Sequence, residues 1–375
     1  MIRMHDRLSS RIFEKRIAGV RRVLQGLGLE CVVISTRENV RYLTGFSGSS
    51  GWVLVSRDDF TLITDARYFG RLAPEFPWVK ACLATNALVD SVVAYCVEHR
   101  LSSLGFEGAN LTYAKVKSLE TALSTRSPAC TLRLTEGLVE RLRMVKDPVE
   151  VSAIQQASRL ADLALAHALS VVHTGMTEHE LSWQIERWLR ENGSGPVPFG
   201  IIVASGPNAA VPHAAPGHRI LREGEPIIID LGATCEGYCS DLTRTIFLRS
   251  MRSEFGELYR VVLTAQQAAL DGLRPGMSAF EADELARRSI RETSFGEQFT
   301  HGLGHGLGLE VHERPIVSSR SSDTLIEGMV FTVEPGVYVP GFGGVRIEDT
   351  VVLRNGKAQP VTCFPKGQPV VQQVQ

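Results

Sequence analysis

The segment Gly175-Met176-Thr177 with Glu180 returns as Gly276-Met277-Ser278 with Glu281, and the likeness extends well beyond those residues. Each copy follows a helical pattern (151–172 and 256–273), and each reads as a turn, a capping box and an amphipathic helix. Further on, Leu221, Gly224, Asp230 and Gly232 match Leu325, Gly328, Glu334 and Gly336. In both copies an acid stands six residues after the first glycine and ends an apolar strand, Pro226 to Ile229 or Met329 to Val333. A second strand in each copy carries another acid, Asp241 in SDLTRTIFL and Glu348 in RIEDTVVL. One matched dipeptide is cheap by chance; turn, helix, strand and acid in the same order are not. The repeat predicts two pseudo-equivalent halves, each a hairpin with one acid per strand.

Packed about a pseudo-dyad, such halves bring Asp230, Asp241, Glu334 and Glu348 to the axis. Four carboxylates cannot share a dry site unneutralised, because burying an unpaired charge costs several kcal/mol or more. Two divalent cations balance four carboxylates, and two such ions about 3.5–4 Å apart can share a hydroxide. The segment His301-Gly-Leu-Gly-His305-Gly-Leu-Gly-Leu-Glu-Val-His312 adds imidazoles, and the glycines beside His305 permit close backbone approach. His305 can complete an ion's shell through nitrogen. The parallel segment of the first half is Pro212-His213-Ala214-Ala215-Pro216. His5, His99, His167, His173, His179 and His218 read as surface or satisfied core residues, His218 less firmly because it lies close to His213.

The first 135 residues alternate helical and strand patterns: a helix over 11–28, a buried strand from Cys31 to Ile34, a hairpin of Trp52–Val55 with Phe60–Ile63, and a helix over 86–98. The Gly-Ser stretch 45–51 lacks the Lys-Ser/Thr of a phosphate loop, and no GxGxxG is present. Asp147-Pro148-Val149-Glu150 reads as a helix start. The expectation is an α/β (α+β) chain of two domains, a smaller one over 1–137 and a larger one over 138–375.

Composition removes other classes. Lys and Arg total 40 against 41 Asp and Glu, so no global charge attracts nucleic acid or anionic membrane. No apolar run reaches the roughly 18–20 residues that span a bilayer, and the opening MIRMHDRLSSRIFEKR has no apolar core of a secretory signal. Seven scattered cysteines without a CxxC pair read as reduced thiols of a cytoplasmic protein. Cys235 and Cys239 sit beside the acids as small apolar fillers.

Residues 143 to 364 resemble the pita-bread metallopeptidases, above all the Xaa-Pro branch of prolidase and aminopeptidase P. The resemblance is carried by Asn208-Ala-Ala-Val-Pro-His213, by Asp230 through Asp241-Leu-Thr-Arg-Thr, by His301-x3-His305-Gly-Leu-Gly-x3-His312-Glu, by Val333-Glu334-Pro-Gly-Val-Tyr338 and by Val345-Arg346-Ile-Glu348-Asp. Arg41-Tyr-Leu-Thr-Gly-Phe46 and Thr64-Asp-Ala-Arg-Tyr68 resemble the creatinase-type N-terminal domain. The resemblance implies a two-halved catalytic domain behind that smaller domain. It implies Asp230, Asp241, His305, Glu334 and Glu348 as ligands of two divalent ions (Mn, Co, Zn or Fe), with Asp241 and Glu348 bridging. It implies Glu334 as proton shuttle and His213 and His312 as catalytic and substrate contacts. His301, Tyr338 and Arg346 match pocket or supporting positions, with plain packing and a salt bridge as the competing reading of the last two. The implied reaction is hydrolysis of the bond before a proline at the second position, in a protein that works as a homodimer. A methionine-aminopeptidase-like enzyme is disfavoured by Pro212-His213 and the first domain, a metal-free creatinase by the complete ligand set. A non-catalytic binding module is disfavoured by the same set and by the absence of a charged tail.

Overall fold

The computed structural model describes residues 10–372, so the expectation for His5 lies outside it. The chain divides between Arg143 and Met144, a few residues beyond 137. The short helix Glu140–Arg143 stays with the first unit because the buried Arg143 guanidinium donates to the Asn39 side chain at 2.7 Å.

The first unit is a six-stranded sheet of β1 (Cys31–Ile34), β2 (Gly51–Ser56), β3 (Phe60–Thr64), β4 (Lys80–Leu83), β5 (Ser103–Glu107) and β6 (Thr131–Thr135), ordered β4-β3-β2-β1-β5-β6. Its helices are α1 (Ser10–Leu27), α2 (Arg37–Thr44), α3 (Ala66–Glu75), α4 (Leu88–Glu98), α5 (Tyr113–Arg126) and α6 (Glu140–Arg143). The uniformly apolar β1 is inaccessible on both faces, and β2 and β3 form the expected antiparallel hairpin.

The second unit holds α7 (Pro148–Val171), α8 (Glu178–Glu191), α9 (Ser253–Gly272) and α10 (Ala279–Arg291). Its strands are β7 (Ile202–Ser205), β8 (Pro226–Leu231), β9 (Thr234–Cys235), β10 (Tyr238–Cys239), β11 (Leu242–Leu248), β12 (Gly304–Gly306), β13 (Glu313–Val317), β14 (Val330–Val333), β15 (Gly336–Val339), β16 (Gly343–Arg346), β17 (Asp349–Arg354), β18 (Lys357–Pro360) and β19 (Val370–Val371). One sheet runs β19-β11-β8-β7 and the other β13-β12-β14-β17-β18, with β9–β10 and β15–β16 as small hairpins.

The sequence repeat is a structural repeat. Thr177 and Ser278 cap α8 and α10 through full capping boxes with Glu180 and Glu281. Gly175 and Gly276 precede them at φ 98° and 93°, a left-handed conformation that favours glycine. Leu221 and Leu325 pair with those turns through equivalent backbone bonds, Leu221 N–H to Met176 and Leu325 N–H to Met277, both at 2.8 Å. Beyond them come the antiparallel pairs β8–β11 and β14–β17. Asp230 alone of the four acids lies within a strand; Asp241, Glu334 and Glu348 stand one residue outside β11, β14 and β17. There the ladder has ended and the side chains are released toward the cavity described next.

No described helix is long and apolar enough to cross a membrane. All seven cysteines are free thiols.

Candidate active site

The open ends of the two hairpins meet at a cavity of about 930 Å3. Asp230, Asp241, His305, Glu334 and Glu348 all line it, as do His213, His301, His312 and Arg346. Tyr338 does not reach the cavity: it is buried behind His301, accepting from Arg346 Nη1 and hydrogen-bonded to His301 Nε2, both at 2.9 Å.

His305 arrives on β12, a strand pressed between β13 and β14. A Cβ on Gly304 would run into the Thr332 carbonyl, and one on Gly306 into the Arg314 carbonyl, so the flanking glycines are what let the strand lie there. The ring's Nδ1 lies 3.1 Å from the Gly306 carbonyl oxygen. A carbonyl only accepts, so Nδ1 carries the proton and Nε2 presents a lone pair. That lone pair faces Glu334 Oε1 at 3.3 Å and Asp241 Oδ2 at 3.6 Å. Burial holds the ring below the usual histidine range, so it is neutral near pH 7 and these are acceptors facing acceptors.

The carboxylates show the same need. Ligand atoms of Asp241, His305 and Glu348 all lie within 4.8 Å of one another. Burial, then Glu348, Asp230 and Glu334, push the Asp241 carboxyl well above the usual range. Burial, then Glu334 and Asp230, do so for Glu348. Asp230 Oδ1 and Glu348 Oε1 are buried oxygens without a hydrogen-bond partner in the described chain. Among the described residues the cation bonded directly to this group is Arg346, which donates to Asp230 Oδ2 at 2.7 Å. Four acids, one committed guanidinium, two orphaned oxygens and an imidazole lone pair aimed at carboxylates form a donor set that fits divalent cations.

Residues to which the motifs gave no role set these groups in place. Thr332 Oγ1 accepts the His305 N–H at 3.0 Å and donates to Glu334 Oε1 at 2.9 Å. Thr243 Oγ1 donates to Glu348 Oε2 at 2.6 Å and accepts from Arg346 Nε at 3.2 Å. Thr243 follows Asp241 by two residues and Thr332 precedes Glu334 by two, so strand alternation was a signal available for both. Arg287, on α10, grips the fully buried Asp283 and donates to the carbonyls of Phe299 (2.9 Å) and His301 (2.6 Å). Asp283 accepts the Leu303 N–H at 2.9 Å, which fixes the backbone leading into His305. Nothing local in the sequence marks that pair, because its partners lie on a loop reached only through the fold.

His301 is fixed as well: Nδ1 donates to the Gly302 carbonyl at 2.8 Å, leaving Nε2 to accept from Tyr338. The rings of His213 and His312 make no hydrogen bond among the described residues, although His312 packs edge-on against His305 at 4.3 Å. They are free to meet a ligand. Of the other histidines, His99 stacks on Tyr95, His167 on Trp188, and His179 faces His218, all away from the cavity. Cys239 is buried, its thiol pushed up to about 12, first by burial, which suits a filler.

Residues 152–355 match metallopeptidase family M24, and residues 16–145 match the creatinase/prolidase N-terminal domain. The chain is similar to the Xaa-Pro dipeptidase of Pyrococcus horikoshii, 33% identical over 351 residues that cover 92% of this chain and 96% of that protein. Among solved structures it is similar to the Xaa-Pro dipeptidase from Bacillus anthracis, with a TM-score of 0.92, 35% identity, and coverage of 96% of this chain and 99% of that one. It is also similar to the X-Pro aminopeptidase from Thermotoga maritima, with a TM-score of 0.86, 33% identity, and coverage of 93% and 100%.

Proposed function

Since the chain belongs to metallopeptidase family M24, we propose that it hydrolyses the peptide bond preceding proline in short peptides. The observation that carries this reading is the convergence, on one cavity wall, of four carboxylates and the Nε2 lone pair of His305. Similarity to proteins named Xaa-Pro dipeptidase and X-Pro aminopeptidase supports the substrate class.

In this reading Asp230, Asp241, His305, Glu334 and Glu348 hold two divalent cations, and oxygen-rich ligation with one imidazole suits Mn, Co, Fe or Zn. Bound there, the cations supply a Lewis acid and a water of lowered pKa. The chain's own groups do the rest. His213 and His312, with unengaged rings on the wall, donate to the scissile carbonyl oxygen and to the oxyanion that replaces it. Glu334 Oε1 is held by Thr332, so the other carboxyl oxygen carries a proton from the attacking water to the leaving nitrogen. The nitrogen of an Xaa-Pro bond has no hydrogen and must receive that proton before proline departs. Phe199, Ile202, Pro212 and Ile316 give the cavity an apolar wall for the pyrrolidine ring.

The test is hydrolysis of Ala-Pro, Ala-Pro-Ala-Ala and Met-Ala-Ser by metal-free protein reconstituted with Mn, Co or Zn. Cleavage of either proline peptide supports the reading, and the peptide chosen separates a dipeptidase from an aminopeptidase. Cleavage of Met-Ala-Ser alone, or of none, overturns it.

A further inference from the structure

On the far side of the loop that carries His213, a carboxylate is buried with no cation bonded to it directly, Arg219 standing one hydroxyl away with its Nη1 donating to Ser205 Oγ at 2.7 Å. Glu178 opens α8, is wholly inaccessible and forms no ion pair among the described residues. Its Oε1 accepts both the N–H and the hydroxyl of Ser205 at 2.7 Å. The Asn208 side-chain amide donates to Oε1 and to Oε2 at 3.1 Å each, and the Gly217 N–H donates to Oε2 at 3.1 Å. Ser205 ends β7, Asn208 lies in the 3-10 turn Gly206–Ala210, and Gly217 closes the loop. One carboxylate thus ties together the two ends of the segment that presents Pro212 to Pro216 to the cavity.

A buried ionised group without a cation is costly unless donors satisfy it fully. Here the donors all come from neutral groups of one segment and its flanks, and the helix N-terminus adds a favourable dipole. An acid is needed because both oxygens must accept, whereas glutamine would turn an NH2 toward one set of donors. The His213 ring has no hydrogen-bond partner among the described residues, so the hydrogen bonds that place it are those of the backbone that carries it. That backbone is gripped from two sides: by Arg346, whose Nη1 donates to the Pro212 carbonyl at 3.1 Å, and by the Glu178 clasp. We propose that Glu178 is a positioning residue that sets His213 against the substrate from behind the loop. The inference rests on the peptidase reading of the cavity.

The test is a double-mutant cycle of Glu178→Gln with His213→Ala in the metal-loaded protein, read as kcat/KM on the better proline peptide. Metal content and amide hydrogen exchange of residues 205–217 are measured alongside. Glu178→Gln should lower kcat/KM on the order of 10- to 100-fold, as a small misplacement of a reacting group does. Metal stoichiometry should hold, and exchange should quicken at Ser205 and Gly217. In the His213→Ala background the same change should add no more than about twofold. Multiplying effects, unchanged exchange, or loss of metal would overturn the proposal. Should Glu178→Gln not fold, Asn208→Ala removes one donor, leaves the acid in place, and must show the same non-additivity. If wild type cleaves no proline peptide, the peptidase reading falls; the clasp is then decided by the exchange data and by 15N relaxation of the His213 ring, neither of which needs turnover.

Discussion

Arg346→Met removes the guanidinium bonded to this acidic group. Arg346 is 3% exposed and donates to Asp230 Oδ2 at 2.7 Å, to the Tyr338 hydroxyl at 2.9 Å and to the Pro212 carbonyl at 3.1 Å. Asp230 Oδ1 already lacks a partner, so the substitution leaves a buried carboxylate with no cation. Breaking a buried ion pair by removing one partner costs about 3–5 kcal/mol. With Asp230→Asn already present the charge term is gone, and the remaining bonds account for about 1–2 kcal/mol. The coupling between the two positions should therefore be about 2–3 kcal/mol, at the upper end for contacting residues. It is measured by urea unfolding of chelated protein in a Trp52→Phe/Trp78→Phe background. The remaining tryptophans, Trp183 and Trp188, both lie on α8 and report the second unit alone. A divalent cation should shrink the effect, because it compensates Asp230 in place of the arginine. A coupling below about 0.5 kcal/mol would refute the claim that Arg346 acts through the Asp230 charge.

Three further outcomes follow from the same geometry. Asp241→Ala should abolish both stoichiometric divalent metal and peptide hydrolysis, checked by elemental analysis and turnover; activity retained at wild-type level would remove the two-ion reading. Gly304→Ala drives a Cβ into the Thr332 carbonyl and displaces the neighbouring His305, so metal affinity, measured by competition with a chelator, should fall by about 10- to 100-fold while the circular dichroism stays native. Glu348→Gln should weaken the loss of stability with rising pH in the metal-free protein. Burial, then Glu334 and Asp230, raise the folded pKa of Glu348 above its unfolded value, so ionising it destabilises the fold as pH rises from about 4 upward. The chelated variant should thus gain stability over chelated wild type with increasing pH, by up to about 1.4 kcal/mol per unit within that window; a gain that shrinks with pH would show that the fold does not strain this carboxylate.

The features legible in the chain are those with a period or a local grammar. The two capping boxes are legible because Thr177/Glu180 and Ser278/Glu281 satisfy backbone donors within three residues, so local chemistry alone selects them. Strand β1 is legible because Cys31 to Ile34 is apolar at every position, as a strand covered on both faces must be. The acids are legible because the repeat doubles their statistical weight. Glu334 stands just beyond the strand expected to end at Val333, but that Asp230 lies within β8 and that Asp241 and Glu348 stand just outside β11 and β17 is not legible, since the end of a ladder is decided by which neighbour is left to pair with.

What stays hidden is everything whose partner is distant in sequence. Asp283 and Arg287 read as an ordinary (i, i+4) helix pair, yet their further bonds run to Phe299, His301 and Leu303 and set the approach to His305. Glu178 reads as a favourable acid in a first helical turn, yet it is inaccessible and bonds across to residues 205, 208 and 217. Tyr338 sits in a recognisable motif and still does not touch the cavity, because its hydroxyl is spent bridging His301 and Arg346. In each case the residue type permits two roles, and burial chooses between them: an acid on a solvated helix face does little, whereas the same acid without water must collect donors or cations. The site is therefore built of two kinds of carboxylate. Glu178 and Asp283 have their donors supplied by the chain and hold backbone; Asp230 and Glu348 each keep a buried oxygen without a donor, beside Asp241 and Glu334, and such a group fits a divalent cation.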